Sequence, residues 1–520
     1  MKNKLLFILI IIILSVPAVW FLALHGMIQT DDGNWMIIRF SAFYQALRDG
    51  QFPVRVLGRL NYGYGYPVAN FLYPGFMYLS VPLHLVGFNF VNSIKILIGL
   101  SITASGIFTY FWLSEIFDEK SALFASIFYI YMPYHIYDVT RRGSVGEVLA
   151  LAIFPFVMWQ IERRNFILLA IGIAALLIAH NTLAILFILL VLCFFGIKFF
   201  TSKSKNGIID FSTKSILFGF LISSFFWMPA VLELPYTVFS KTKVSDFSNY
   251  FADIHLIGPT TILIFIASVA VFFVNKKLQK NNEQVVLMIA IGILSVFLSI
   301  SQSQPLWGIL PVSFIQFPFR FLSLTICCAS FLLAFVLSQI PEKYRLMVGI
   351  VVILLTVFFS KDLLMPAGIN SADDSFYSTN EATTTVMDEY MPLWVKQKPT
   401  EHFKNEVNVQ TGEGEVSNVF YNSNKITFNY SSDTPSVVRV STIYYPGWEA
   451  FSNGLEKAIF YDNKNGLMEL KLNSGNQFVS LNFTETPIRM FSDIVSLLAF
   501  CLWGFLLLKD VSKRFNLGKK

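Results

Sequence analysis

Two adjacent aspartates open the chemistry available to this chain. Asp31 and Asp32 lie in the stretch HGMIQTDDGNWMIIRF, just after the first apolar segment. A carboxylate placed there can take the proton of a hydroxyl group and act as a general base. The pair has a plainer use as well: acids at a helix start stabilise its positive end, with Asn34 as the cap. Arg39, seven positions beyond Asp32, falls on the same helix face two turns on, where it can hold the carboxylate or meet a phosphate. A second polar loop, DVTRRGSVGE, sets Arg141 and Arg142 between Asp138 and Glu147, with Gly143 and Gly146 beside them. Arginine's planar fork suits bidentate phosphate binding, and the plainer reading is anchoring at lipid headgroups. Arg320, in QFPFR, is a third phosphate candidate. Tyr64 and Tyr66, in NYGYGYP, can stack on sugar rings, although tyrosines are ordinary at membrane interfaces. The six histidines have no HxH or HxxxH spacing, and Cys193, Cys327, Cys328 and Cys501 all lie in apolar segments. No His- or Cys-built metal site is predicted, and a cation held by Asp32 or Asp138 is left open.

The elements that position these residues are apolar helices. Of 520 residues, 55% are hydrophobic and 14% charged, the composition of a polytopic membrane protein. The net charge of +6 sits mostly in short loops between apolar runs, which is an orientation signal and not a nucleic-acid footprint. Twelve spans are predicted: 5–24, 92–113, 121–138, 147–161, 166–180, 182–200, 215–232, 258–275, 285–301, 319–339, 345–361 and 489–508. The first is too long for a cleaved signal peptide and reads as a retained helix. Residues 71–88, interrupted by Pro74 and Pro82, are read as lying at the outer surface. With that parity and a cytoplasmic N-terminus, the basic groups Arg163–Arg164, Lys198 to Lys214, Lys276 to Lys280, Lys343–Arg345 and the tail from Lys509 all fall inside. Asp31, Asp32, Arg39, Arg55, Arg59, Asp138, Arg142, Glu147, Glu233 and Arg320 then fall outside. Span centres are nearly free of charge, which argues against an ion-coupled carrier.

Residues 1–364 therefore form a helical membrane domain whose outer loop is 25–90. Residues 365–486 form a soluble β-domain outside the cell, and 487–520 a final span with a basic cytoplasmic tail. Within the β-domain, Ile426, Phe428 and Tyr430 alternate with polar residues. So do Val438 and Val440, Met468, Leu470 and Leu472, and Val479, Leu481 and Phe483. This period of two predicts antiparallel strands, arranged as a sandwich.

The runs DDGNWMIIRF, GQFPVR, NYGYGYP and FLYP, with RRGSVGE, AHNTL, QFPFRFL and YYPGW, resemble the bacterial membrane proteins called 6-pyruvoyl-tetrahydropterin-synthase-related. Those are similar in turn to the GT-C glycosyltransferases, which carry a catalytic acid in the first outer loop and use polyprenyl-phosphate-linked sugars. The resemblance implies Asp32 as the acid, with Arg39 and Arg55 as its companions. A histidine often found four residues after that acid is Met36 here. Pterin synthase activity is rejected, because it needs a histidine-built zinc site and a catalytic thiol.

The function expected is transfer of a sugar from a polyprenyl-phosphate carrier to a cell-surface glycan or glycolipid at the bacterial plasma membrane. Asp32 is the base, supported by Asp31, Arg39, Asp138 and Glu147, and Arg55, Arg141, Arg142 and Arg320 bind the substrate phosphate. The expected partners are membrane lipid, the glycan acceptor and a companion transferase or flippase. The alternative is a non-catalytic factor that presents or exports lipid-linked glycans.

Overall fold

The computed structural model describes residues 2–241, 247–274, 282–309, 315–383 and 388–517. Lys276, Lys277, Lys280, Lys519 and Lys520, which entered the orientation argument, lie outside the described residues. Seven described helices are long and apolar enough to cross a membrane: Phe90–Ser114, Val145–Glu162, Asn181–Thr201, Asn282–Ser299, Pro318–Gln339, Glu342–Ser360 and Pro487–Ser512. Two bent pairs raise the number to as many as nine. Helix Glu342–Ser360 turns Leu346, Ile350, Leu354 and Phe358 outward, an apolar stripe suited to hydrocarbon.

The twelve expected spans all contain helix, but several are shorter or broken for local reasons. In 215–232 the Ser223 hydroxyl bonds back to the Gly219 carbonyl at 2.8 Å, and the helices on either side meet at 73°. Before 258–275 the chain turns by 69° at Gly258, whose φ of +84° precedes Pro259. Pro133 forces Met132 out of helical geometry, so 121–138 becomes Glu119–Tyr131, Pro133–Tyr137 and a π-turn over Asp138–Arg142. The N-terminal helix Lys2–Ser15 gives way to 3₁₀ turns at Pro17. Residues 71–88 contain one helix, Gly75–Leu85, whose 11 residues rise only about 16 Å, half a hydrocarbon core.

Strand β1 (Met27–Ile28) pairs antiparallel with β2 (Ile369–Asn370), tying the first loop to the segment after the helical region. Gly26 permits this approach: its φ is +81°, and a Cβ there would lie 2.4 Å from the Asn370 carbonyl oxygen. The remaining strands are β3 (Val407–Thr411), β4 (Glu415–Tyr421), β5 (Lys425–Ser432), β6 (Ser436–Ile443), β7 (Trp448–Ser452), β8 (Leu455–Lys457), β9 (Leu467–Leu472) and β10 (Gly475–Phe483). They form one sheet in the order β4-β5-β10-β7-β8 and another in the order β3-β6-β9, both antiparallel. The expected alternation holds in β5, where Ile426, Phe428 and Tyr430 are buried. It lapses at the end of β6, where the register shifts between Val440 and Ile443 and four successive residues are buried.

A buried ion pair clamps the sheets to the bundle. Glu233, at the end of helix Ser224–Leu232, accepts from Arg489 Nη2 (2.7 Å) and Nε (3.1 Å), Asn70 Nδ2 (2.8 Å), Tyr445 Oη (3.1 Å) and the Thr486 hydroxyl (3.1 Å). Its partners come from the first loop, the corner after β6 and the start of helix Pro487–Leu517. Removing one member of such a pair strands the other charge in a water-poor site. Arg489→Met should therefore destabilise the detergent-solubilised protein by about 3–5 kcal/mol, read as a lower thermal midpoint. An unchanged midpoint would deny the clamp its role.

Candidate functional site

Backbone pairing brings the two polar loops together. The Asp31 N–H donates to the Arg141 carbonyl at 2.8 Å, and the Asp32 N–H to the Arg142 carbonyl at 2.7 Å. Gly143 takes φ +66°, and a Cβ there would lie 2.2 Å from Thr30 Oγ1, so the loops meet at a contact only glycine allows. Gly146 is equally confined, by the Tyr73 ring. Thr30 Oγ1 accepts from the Gly33 N–H at 2.9 Å at the start of helix Gly33–Arg48. The expected cap, Asn34, is used elsewhere: its Oδ1 accepts from Tyr377 Oη (2.9 Å) and Asn370 Nδ2 (3.1 Å). Asp32 occupies the N-cap position but makes no side-chain capping bond. Its carboxylate is 38% exposed and stands 3.7 Å from Arg142 Nη2.

Behind Asp32 lies a buried charge cluster centred on Glu147. This carboxylate, in the first turn of helix Val145–Glu162, is hydrogen-bonded by Arg142 Nη1, Arg320 Nε (2.9 Å) and Tyr134 Oη (3.1 Å). His180 Nε2 is 3.5 Å away, while its Nδ1 accepts from the Leu183 N–H and so caps helix Asn181–Thr201. Arg320 Nη1 also donates to the Ile315 carbonyl (2.8 Å) and Gln316 Oε1 (2.9 Å). Phe317 and Phe319 stack on the Arg142 guanidinium at 5.4 and 5.1 Å. Asp138 is fully buried, 3.6 Å from Arg142 Nη1, and neither of its oxygens has a hydrogen-bond partner among the described residues. Burial, then the charge of Glu147, push its carboxyl well above the usual range, against the pull of Arg142 and Arg320. Partial burial and the Asp32 charge also raise the Asp31 carboxyl, against the pull of Arg142.

Asp32, Asp138, Arg142, Glu147 and Arg320 thus converge from three distant segments. Arg39 is buried on the helix that follows, and its charge acts on Tyr73, Glu389 and Tyr390. Glu389 was not singled out by sequence. Burial raises its carboxyl, opposed by Arg39 and Arg320, and Asp32 adds to the rise, so it shares the field of the site. The segment after it is threaded between loops: the Tyr390 N–H donates to Tyr66 Oη at 3.1 Å and its ring stacks on Phe71 at 5.3 Å.

Four expected site residues are placed elsewhere. Arg55, 2% exposed, bonds Glu485 (3.2 Å), Asp493 (2.8 Å) and the Phe225 carbonyl (2.7 Å), beside the Glu233–Arg489 clamp. Arg141 donates to the Asp362 (2.7 Å) and Met365 (2.9 Å) carbonyls just after helix Glu342–Ser360. Both arginines spend their donors on the fold. Tyr66 is fully buried, so it offers no ring face to a sugar. Tyr64 is half-buried, edge-on to Phe403 at 5.3 Å. Among the described residues no three His, Cys, Asp or Glu side chains converge as metal ligands.

Residues 72–364 match the family model described as the 6-pyruvoyl-tetrahydropterin synthase related domain, a membrane protein family. The chain belongs to that family. No curated protein matches this member of it. Among solved structures it is similar to the arabinofuranosyltransferase AftD from mycobacteria, with 13% identity, a TM-score of 0.47, and coverage of 72% of this chain and 28% of that one. It is also similar to the oligosaccharyltransferase of Archaeoglobus fulgidus in the apo form, at 12% identity and TM-score 0.45, covering 72% and 56%. The chain spans well under two thirds of either.

In this family member the two buried acids should respond oppositely to neutralisation. Glu147→Gln leaves Arg142 and Arg320 with an uncompensated buried charge and should lower stability by about 3–5 kcal/mol. The Asp138 carboxyl has a folded pKa above its unfolded value near 3.8, so the folded state binds the extra proton. Stability from this group is present at low pH and falls as pH rises past the unfolded value. Asp138→Asn should remove that fall and leave stability at neutral pH unchanged or higher. Thermal midpoints from pH 4 to 8 separate the two; a loss for Asp138→Asn as large as for Glu147→Gln would show that Asp138 is ionised.

Proposed function

We propose that the protein is a GT-C-type glycosyltransferase of the bacterial plasma membrane, acting at the end of the bundle that carries the β-sheets, on the extracytoplasmic side. The observation that carries this reading is the half-exposed Asp32 carboxylate beside the buried Arg142–Glu147–Arg320 cluster. The resemblance of the DDGNWMIIRF run to the family's pattern supports Asp32 as the acid. The donor is a polyprenyl-phosphate sugar and the acceptor a cell-surface glycan or glycolipid.

Asp32 takes the proton from an acceptor hydroxyl as that oxygen bonds the anomeric carbon. The bond from that carbon to the phosphate oxygen breaks, and the polyprenyl phosphate leaves with the electron pair. Arg142 and Arg320 supply the positive field that stabilises charge gathering on the phosphate, strengthened by the low dielectric around them. Arg39 and Glu389 share this field. No step is assigned to a cation.

Asn keeps the shape of Asp but cannot take the proton, and it ranks with Asp as a helix cap. Asp32→Asn should insert normally and lower transfer by about 10²- to 10⁴-fold, with Asp31→Asn milder, read as modification of the surface glycan against a deletion strain. Transfer near the wild-type level would move the reading to a non-catalytic factor for lipid-linked glycans. For sidedness, a cysteine at Glu456, exposed in β8, should react with an impermeant thiol reagent in intact cells and one at Ser204, also exposed, should not. The reverse pattern would turn the molecule over and remove the site from the cell surface.

A further inference from the structure

A second concavity lies away from Asp32, between the far end of helix Gly33–Arg48 and the β-sheets. Its volume is 340 Å³, within the range of small-ligand sites. Gln45 and Asp49 form one wall, Glu381 and Glu406 another, with Phe403 and Tyr421 between them. Gln45 is thirteen residues from Asp32, so at helical rise the cleft sits about 20 Å from the carboxylate. We propose that this cleft binds a neutral or amino-bearing carbohydrate chain, the acceptor glycan at a point remote from transfer. The choice of carbohydrate rests on the transferase reading.

The lining favours that chemistry over others. Three carboxylates and two amides, Gln45 and Asn422, offer acceptors to hydroxyl and amino hydrogens, and aromatic rings offer faces to C–H surfaces. Trp448 also lines the cleft; it is 5% exposed, and its indole N–H has no partner among the described residues. A buried donor left unpaired calls for an acceptor such as a sugar oxygen. The cleft's arginine, Arg59, is engaged with the Ser378 and Tyr377 carbonyls, Ser41 and Gln45, so polyanions find little there. The arrangement is built in: Glu381 Oε2 and His402 Nδ1 are 2.8 Å apart, and Asp49 Oδ2 accepts from the Ser423 N–H and hydroxyl at 3.0 and 2.7 Å. Gly63, with φ +83°, lets the first loop approach Phe403 so closely that a Cβ would lie 2.8 Å from its ring.

The test titrates the full-length protein in detergent, by ligand-observed NMR, with chitotetraose, maltotetraose, a glucosamine tetramer, a heparin tetrasaccharide and tetralysine. At least one of the neutral or amino oligosaccharides should bind, and the heparin fragment should not. Gln45→Trp, at an exposed position that fills the cleft, should weaken binding at least tenfold, and Trp448→Phe, which removes only the N–H donor and some ring area, severalfold. Asp32→Asn should bind as the wild type does, so a failure of the transfer reading appears in the surface-glycan assay and leaves this result standing. Absence of oligosaccharide binding, binding of heparin or tetralysine alone, or unchanged affinity in Gln45→Trp would each overturn the proposal.

Discussion

The buried Glu147 carboxylate is the constraint from which the site follows. Moving a carboxylate and two guanidinium groups out of water costs several kcal/mol per ion, and only close, well-aligned bonds offset it. Glu147 meets that demand by gathering Arg142, Arg320, Tyr134 and His180, each from a different helix end. None of these segments can drift without exposing a charge to an unsuitable medium. The carboxylate's place in the first turn of its own helix adds the favourable field of the N-terminal peptide dipoles.

Fixing Arg142 fixes Asp32. The Arg142 backbone carbonyl holds the Asp32 N–H while its guanidinium reaches toward the carboxylate, so one residue sets both the position and the electrostatics of the candidate base. The β1–β2 pair then ties the same loop to the chain that follows the helices. That chain returns Glu389 and Tyr390 to the site, and the Glu233–Arg489 clamp closes the assembly from the far side. Loop, linker and sheets are thereby all tied to the helical bundle.

Much of this was legible in the sequence, and the losses have identifiable causes. Asp32, Asp138, Arg142, Glu147 and Arg320 stood out because charge beside apolar runs is costly and so informative. The strands were legible because a half-buried sheet enforces a period of two, as in Ile426, Phe428 and Tyr430. The bonds of Arg55 and Arg141 were not legible because their partners include backbone carbonyls of Phe225, Asp362 and Met365, and sequence carries no sign of which carbonyl lies nearby. Glu389 was missed because its burial comes from threading beneath Tyr66 and Phe71, in a polar stretch without periodicity. Breaks within helices were not legible where hydropathy ran on through Pro133 and Ser223, since bends made by backbone geometry leave the composition unchanged.

Besides Asp31, four carboxyls lie near the site; they are not equivalent, and their differences separate their roles. Glu147 has its lone pairs committed to two arginines and a tyrosine, so it orders the cluster and takes no part in proton exchange. Asp138 is fully buried, with burial and the charge of Glu147 raising its carboxyl, so it has no open face for an acceptor to reach. Asp32 and Glu389 remain. Burial raises Glu389, which favours proton uptake, but Arg39 and Arg320 oppose the rise. Among the described residues Asp32 forms one ion pair, with Arg142 at 3.7 Å, and its side chain is 38% exposed, an open face that an acceptor hydroxyl can reach. A base must first be reached by the proton it removes, so geometry ranks Asp32 ahead of Glu389. Its neighbour Arg142 then serves best by holding position without forming a tight pair: a bond as close as the one to Glu147 would occupy the lone pair that the acceptor's proton needs.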